Sequence, residues 1–398
     1  MRWVDPDAEA VDVPERTGCA TCDPMPFLPD TIRATGEDAE LMFPSWKPHC
    51  RRFPQFSAGQ RSEYVRLVGK LLRCWKLGLA HRIHGGGSVL AVGKASGAQR
   101  ELRHGRRMSG AAVRPPRPEH LASLTAFKAT CLGSHEKLYV SKRDGRCFFD
   151  QLSLPEATVP YIGRPAVTST ELLDAGISQD ELKTMLVDDD LQDLRQLWPV
   201  SKVWGMGFAW SSYITQNALL EICSAAGLTR DYVLSADGPS PSGQRLLLSL
   251  STDDIMIFAK DKVKSVAAAR AVETPMAEHG VIKHGAKDFD GEIDTDCIGV
   301  SLVDGHEWWA PAAKILRLVS AAAGLAETRR STPRAARAFW GTAQWYDLLE
   351  RRKLSVYFMM LPTVSLLGSP NLWWLPCPIR CLWNCLFPSC WHHVGPST

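Results

Sequence analysis

Long uninterrupted apolar runs are missing from this chain of 398 residues. The nearest candidate, Leu354 to Trp391, is broken by Pro362, Pro370, Pro376, Pro378, Arg380 and Pro388. It falls short of the roughly 18 to 20 clean residues that a transmembrane helix needs, so no membrane partner is expected. An apolar leader is missing too, because Met1 to Ala10 carries Asp5, Asp7 and Glu9 and has no h-region. The expectation is a cytoplasmic or nuclear setting in which the 12 cysteines are reduced thiols. A dominant charge sign is also lacking, since 46 Lys and Arg against 43 Asp and Glu leave a formal net charge of +3. That balance alone implies neither a nucleic acid nor a membrane surface as partner, so the location of the charge matters more than its sum. The usual short spacings of zinc modules are absent. Cys19-x2-Cys22 and His49-Cys50 are separated by 26 residues, and free thiols are the better reading for them and for the cysteine-rich tail from Cys377 to Cys390.

What is present begins with a core: 45% of the residues are apolar, enough for a multi-lobed protein and too many for disorder throughout. Charge is clustered. Six arginines fall between Arg100 and Arg117, and Lys314 to Lys353 carries Arg317, Arg329, Arg330, Arg334, Arg337, Arg351 and Arg352 against three acids. Residues 1–60 show weak periodicity and many prolines, which predicts a loosely structured lead-in. From Glu63 the spacing of Val65, Val68, Leu71, Leu72 and Trp75 predicts a helix. Gly85-Gly86-Gly87 reads as a flexible turn before a strand over Ser88 to Val92, because no Gly-Lys-Ser/Thr follows it. Ser178 to Leu197 is helical in pattern, and its run Asp188-Asp189-Asp190 reads as an exposed face or helix end.

Four motifs carry chemistry. In Ser251-Thr252-Asp253-Asp254, two adjacent carboxylates lie between apolar strands, Arg245 to Leu250 and Ile255 to Phe258. That setting predicts a hairpin turn, and a divalent cation is a good reason to tolerate the repulsion between Asp253 and Asp254. Asp144 ends a strand expected from Glu136 onward and is followed five positions later by Phe149, with Asp150 as a nearby rival. Met206 to Gln216 is a glycine-aromatic turn that opens a helix. Gly207 there would permit close backbone approach, and Gln216 would project toward a substrate. Lys94-x2-Gly97-x2-Arg100 would aim a point charge and a bidentate guanidinium at a polyphosphate. Lys287, seven residues after Gly280, is a candidate proton donor, although taken alone a solvated surface lysine is the better reading. Cys297 to Leu302 reads as a short strand.

Taken in order, these motifs resemble the reverse transcriptase domain of retroelement polyproteins, especially gypsy-like long-terminal-repeat lineages of protist or dinoflagellate type, over roughly Glu63 to Tyr357. The resemblance implies an α+β right-hand polymerase fold, with an antiparallel palm sheet, fingers and a helical thumb. It implies fingers over 61–130, palm over 131–305 with a fingers insertion near 160–200, thumb or connection over 306–357, and a divergent, disordered tail over 358–398. It makes Asp144, Asp253 and Asp254 the catalytic carboxylates that bind Mg²⁺ or Mn²⁺. Lys94, Arg100, Gly207, Gln216 and Lys287 become nucleotide or template contacts, and Phe149 the ring that excludes a 2′-hydroxyl. The partners implied are a primed RNA or DNA template and deoxynucleoside triphosphates. No RNase H acidic series, integrase zinc motif or protease Asp-Thr/Ser-Gly is present, so those activities would sit on other chains or be lost, and the chain would be a fragment. Ser251 stands where the family usually has an aromatic residue. A remnant that keeps the fold and binds nucleic acid without catalysis is the alternative. A small-molecule metal hydrolase is weaker, because it leaves Met206 to Gln216 unexplained.

Overall fold

In a computed structural model, residues 3–347 are described apart from 15–17, 45–55, 57, 95, 128–129, 131, 189–194, 240–245 and 329, together with 373–374. The expected lead-in is not loose where it is described. A short strand, β1 (Trp3–Val4), adds to the edge of a later hairpin, and Val11, Cys19, Cys22, Met25, Leu28 and Met42 are buried. These apolar residues insert singly into two different cores rather than forming a face of their own, so no period marks them in the sequence.

The helix Ala58–Arg73 buries Val65, Val68, Leu71 and Leu72 of the expected stripe, with Tyr64 and Leu67 beside them. Trp75, expected on the same stripe, lies past the helix end at a positive φ that turns its ring outward, where it is 48% exposed under the Lys202 ammonium. The helix leads into β2 (Leu77–Ala80), all four residues of which are buried. The hairpin β3 (Val89–Gly93) and β4 (Gln99–Arg103) is antiparallel, with Val92 opposite Arg100. The triple glycine is a packing device rather than a flexible turn. A Cβ on Gly86 would lie 2.1 Å from the Gly163 carbonyl oxygen, and one on Gly87 would lie 2.6 Å from that of His104.

A four-stranded antiparallel sheet forms the centre. Its members are β5 (Tyr139–Asp144), β7 (Leu246–Ser251), β8 (Asp254–Ala259) and β9 (Phe289–Glu292), in the order β7-β8-β5-β9, while β6 (Trp198–Ser201) instead pairs with β2. The apolar runs beside the acidic pair are continuous because both faces of the sheet are covered. Leu248, Leu250, Ile255 and Ile257 pack with the helices Ser211–Ala225 and Lys262–Glu278. Leu247, Met256 and Phe258 alternate onto the other face, with Phe127, Val140 and Leu302. The long helix expected over Ser178 to Leu197 is shorter, Gln179–Met185, and the Asp188 carboxylate meets the ring of His81. Asp189 and Asp190 lie outside the described residues.

The palm and thumb boundary expected at 305/306 falls inside a small sheet, β10 (Thr295–Cys297), β11 (Val300–Val303) and β12 (Glu307–Trp309). Cys297 to Leu302 is accordingly not one strand. Ile298 and Gly299 adopt positive φ and turn the chain back on itself. Two helices follow, Ala312–Thr328 and Pro333–Asp347, and of the expected tail only Trp373–Trp374 is described, paired with Arg330–Ser331. Among the described residues no helix is long and apolar enough to cross a membrane.

Candidate active site

The acidic turn is built first by backbone. Thr252 takes a left-handed φ of +52°, costly for a β-branched residue, and its N–H donates to Gln216 Oε1 at 3.1 Å. Gln216 Nε2 donates in turn to the carbonyl of His120 at 3.0 Å. The Gln216 side chain is therefore fully buried and spent on two backbone groups, and it does not face a substrate as expected. Its position within the helix is what ties the turn to the core.

The antiparallel register sets Asp144 directly opposite Asp254. Asp144 is itself 4% exposed, and its Oδ2 lies 3.2 Å from Lys287 Nζ and 3.6 Å from Lys142 Nζ. Lys142 Nζ also lies 2.7 Å from Asp254 Oδ1. Burial pushes the Asp144 carboxyl above the usual range. The Lys287 ammonium opposes that push and the Asp254 charge adds to it. Burial also raises Asp253, and the charges of Asp254 and Asp144 raise it further. Mutual repulsion of this kind identifies carboxylates held together against their own preference.

A cleft opens beside this turn, and six of the candidate residues line it: Lys94, Arg100, Asp144, Phe149, Asp253 and Lys287. They come from the β3–β4 hairpin, the end of β5, the four-residue helix Phe148–Gln151, the acidic turn and the segment before β9. The Arg100 charge acts on Asp253. Lys94 holds Asp12 at 2.5 Å, a partner from the N-terminal segment that no motif had pointed to. Gly207 belongs elsewhere. Its φ of +105° and a Cβ position 2.1 Å from the Arg103 carbonyl oxygen show that β4, not a nucleotide, is the backbone it admits. Phe208, Trp210 and Tyr213 are core aromatics.

One feature of the cleft was not legible beforehand. Its floor is a buried charge cluster in which Lys76 Nζ lies 2.9 Å from Glu101 and 2.8 Å from Asp150, and Arg164 pairs with Glu101. Burial would raise the Glu101 carboxyl, but Arg164 and Lys76 outweigh it and hold the group well below its ordinary range. Burial and the neighbouring Arg164 hold Arg103 down to about 9. Its Nε and Nη1 are buried without a hydrogen-bond partner among the described residues. Asp150, the rival to Asp144, is thus a partner of Lys76. The alternation Glu101, Leu102, Arg103 on a strand was the available signal.

For metals, no three His, Cys, Asp or Glu side chains among the described residues stand close enough to form a cage by themselves. The site does offer carboxylate oxygens alone, converging from one turn and one strand end. That donor set suits a hard cation such as Mg²⁺, which is commonly shared between one or two carboxylates and substrate phosphates. Zinc is disfavoured at the cysteines. Cys19 and Cys22 are buried in different cores, Cys19 Sγ lies 3.7 Å from Cys74 Sγ, and His49 and Cys50 lie outside the described residues.

No family model and no curated protein matches this sequence. Solved structures do match it. A foamy viral protease-reverse transcriptase in complex with double-stranded DNA, a form labelled dRH, is similar at a TM-score of 0.57 and 11% identity, over 85% of this chain and 50% of that one. The foamy viral protease-reverse transcriptase with an RNA/DNA hybrid is similar at 0.55 and 11%, over 95% and 40%. A further complex with double-stranded DNA is similar at 0.56 and 12%, over 86% and 59%. The fold is that of a reverse transcriptase. The α+β right-hand architecture expected from the motifs is therefore present, and the chain spans about half the length of these neighbours.

Proposed function

We propose that this protein is an RNA-directed DNA polymerase that extends a primer with deoxynucleoside triphosphates on an RNA or DNA template. The observation that carries this reading is the gathering of Lys94, Arg100, Asp144, Phe149, Asp253 and Lys287 from distant segments into one cleft, in a chain whose fold is shared with nucleic-acid-bound polymerases.

Asp144, Asp253 and Asp254 would hold Mg²⁺ or Mn²⁺ jointly with the triphosphate. Such a cation, when bound, makes the primer 3′-hydroxyl more acidic and neutralises charge on the departing pyrophosphate. The chain's own groups do the rest. Arg100 and Lys94 grip phosphate oxygens, the guanidinium in a bidentate fork and the ammonium as a point charge. Lys94 must let go of Asp12 to do so. Lys287, mostly exposed and already beside Asp144, is placed to give a proton to pyrophosphate. Phe149, buried to all but 9%, stands as a rigid wall against a 2′-hydroxyl.

Metal-dependent extension of a labelled primer tests the reading. The intact chain should incorporate deoxynucleotides, and Asp253→Ala should abolish incorporation while template binding persists. Phe149→Ala should raise use of ribonucleotides relative to deoxynucleotides by about 10- to 100-fold, the scale of a removed steric barrier. Template binding with no extension by the unaltered chain would leave a nucleic-acid-binding remnant instead.

A further inference from the structure

Side chains two apart on a strand share a face, so Lys142 projects from β5 on the same side as Asp144. Its ammonium stands between Asp254 Oδ1, at 2.7 Å, and Asp144 Oδ2, at 3.6 Å. The two lysines at this site differ in freedom. The side chain of Lys142 is 17% exposed and walled in, whereas that of Lys287 is 55% exposed and able to swing away. Locally, the carboxylates of Asp144, Asp253 and Asp254 face the ammonium groups of Lys142 and Lys287, and the Arg100 charge also acts on Asp253, so much of the negative charge that would attract a divalent cation is already answered by the chain's own cations. A triphosphate would bring several more negative charges.

We propose that Lys142 is a resident counter-cation of the Asp144–Asp254 pair, so that the acidic turn binds a divalent cation weakly until a nucleoside triphosphate supplies additional oxygens. This rests on the polymerase reading for the identity of the nucleotide, but the metal effect itself is measured without one. Removing a fixed positive charge that lies within 2.7 to 3.6 Å of the carboxylates that would hold the cation should strengthen their attraction for it, because at such range the Coulomb energy is large even when solvent screens it.

The test is Mn²⁺ binding to the full chain, followed by electron paramagnetic resonance in the absence of nucleotide. Lys142→Met, with Lys142→Gln beside it in case the apolar change disturbs folding, should tighten Mn²⁺ binding by about tenfold. Lys142→Arg, which keeps the charge, should stay near the unaltered chain, and Asp253→Asn added to Lys142→Met should remove the gain. Adding a non-hydrolysable deoxynucleoside triphosphate should tighten Mn²⁺ binding more in the unaltered chain than in Lys142→Met. Affinity within twofold of the unaltered chain in both neutral variants, or a gain that Asp253→Asn leaves intact, overturns the inference. Primer extension separates the two readings. Extension by the unaltered chain with no Lys142 effect on Mn²⁺ sinks only the counter-cation, and a Lys142 effect without extension sinks only the polymerase.

Discussion

A methyl group on Gly207 would sit 2.1 Å from the Arg103 carbonyl oxygen, at a φ of +105° that side chains avoid. Both penalties fall on one position, and backbone on either side cannot give way. Gly207→Ala should therefore cost about 3 kcal/mol or more. Gly97 has the same need for positive φ, at +85°, but a Cβ there meets nothing within 4 Å among the described residues. Gly97→Ala should cost only about 1 kcal/mol, the strain term alone. Urea denaturation of the two variants measures the difference. Equal losses would mean that the approach to β4 is looser than the geometry implies. Gln216 teaches the same lesson from the polar side. A helix opened by a glycine-aromatic turn pointed to a substrate contact, while the amide is used to hold Thr252 in a backbone conformation it would otherwise leave.

At the scale of elements, the buried cluster joins β4 to the helix Ala58–Arg73 through Lys76, just beyond the helix end, and to Phe148–Gln151 through Asp150. Glu101 answers two cations at once. Glu101→Gln leaves Lys76, Arg103 and Arg164 buried against Asp150 alone, and should cost about 3–5 kcal/mol at neutral pH. The pH dependence has a definite sign. Glu101 is held below the ordinary glutamate value of 4.5, so its contribution is present above that value and is lost as pH falls below it toward the lower folded value. The unaltered chain should thus lose stability below about pH 4.5 more steeply than Glu101→Gln, which thermal melts across pH 3 to 7 would measure. A parallel loss would remove Glu101 from the acid limb. Little of this cluster was legible, because the alternation Glu101, Leu102, Arg103 marks only a strand face, while the partners Lys76, Asp150 and Arg164 come from distant segments. The strands flanking Asp253-Asp254 were legible, since two continuous apolar runs around a polar turn have few other folds available. The helix Ala58–Arg73 was legible by its period. The N-terminal segment was not, because its buried residues serve cores assembled from elsewhere in the chain.

Across the whole molecule, stability and the proposed chemistry pull in opposite directions at the acidic turn. A sheet covered on both faces, a turn held in a left-handed conformation and a buried glutamine together bring Asp144, Asp253 and Asp254 toward one place, and their repulsion is a standing cost to the fold. Ordinary surface acids would not be so arranged. Replacing one of them by its neutral isostere should relieve repulsion at no loss of packing, so Asp253→Asn is expected to stabilise the chain by about 1 kcal/mol while it abolishes primer extension. That corresponds to a rise of roughly 1 to 3 °C in melting temperature for a chain of this size. Millimolar Mg²⁺ with a deoxynucleoside triphosphate should raise the melting temperature of the unaltered chain, because a ligand that binds only the folded state stabilises it by mass action. The same addition should do little for Asp253→Asn. Calorimetric melts in four conditions, each protein with and without the ligands, decide the matter. If Asp253→Asn melts lower than the unaltered chain, the carboxylate is a structural partner and the turn is not a site strained for chemistry.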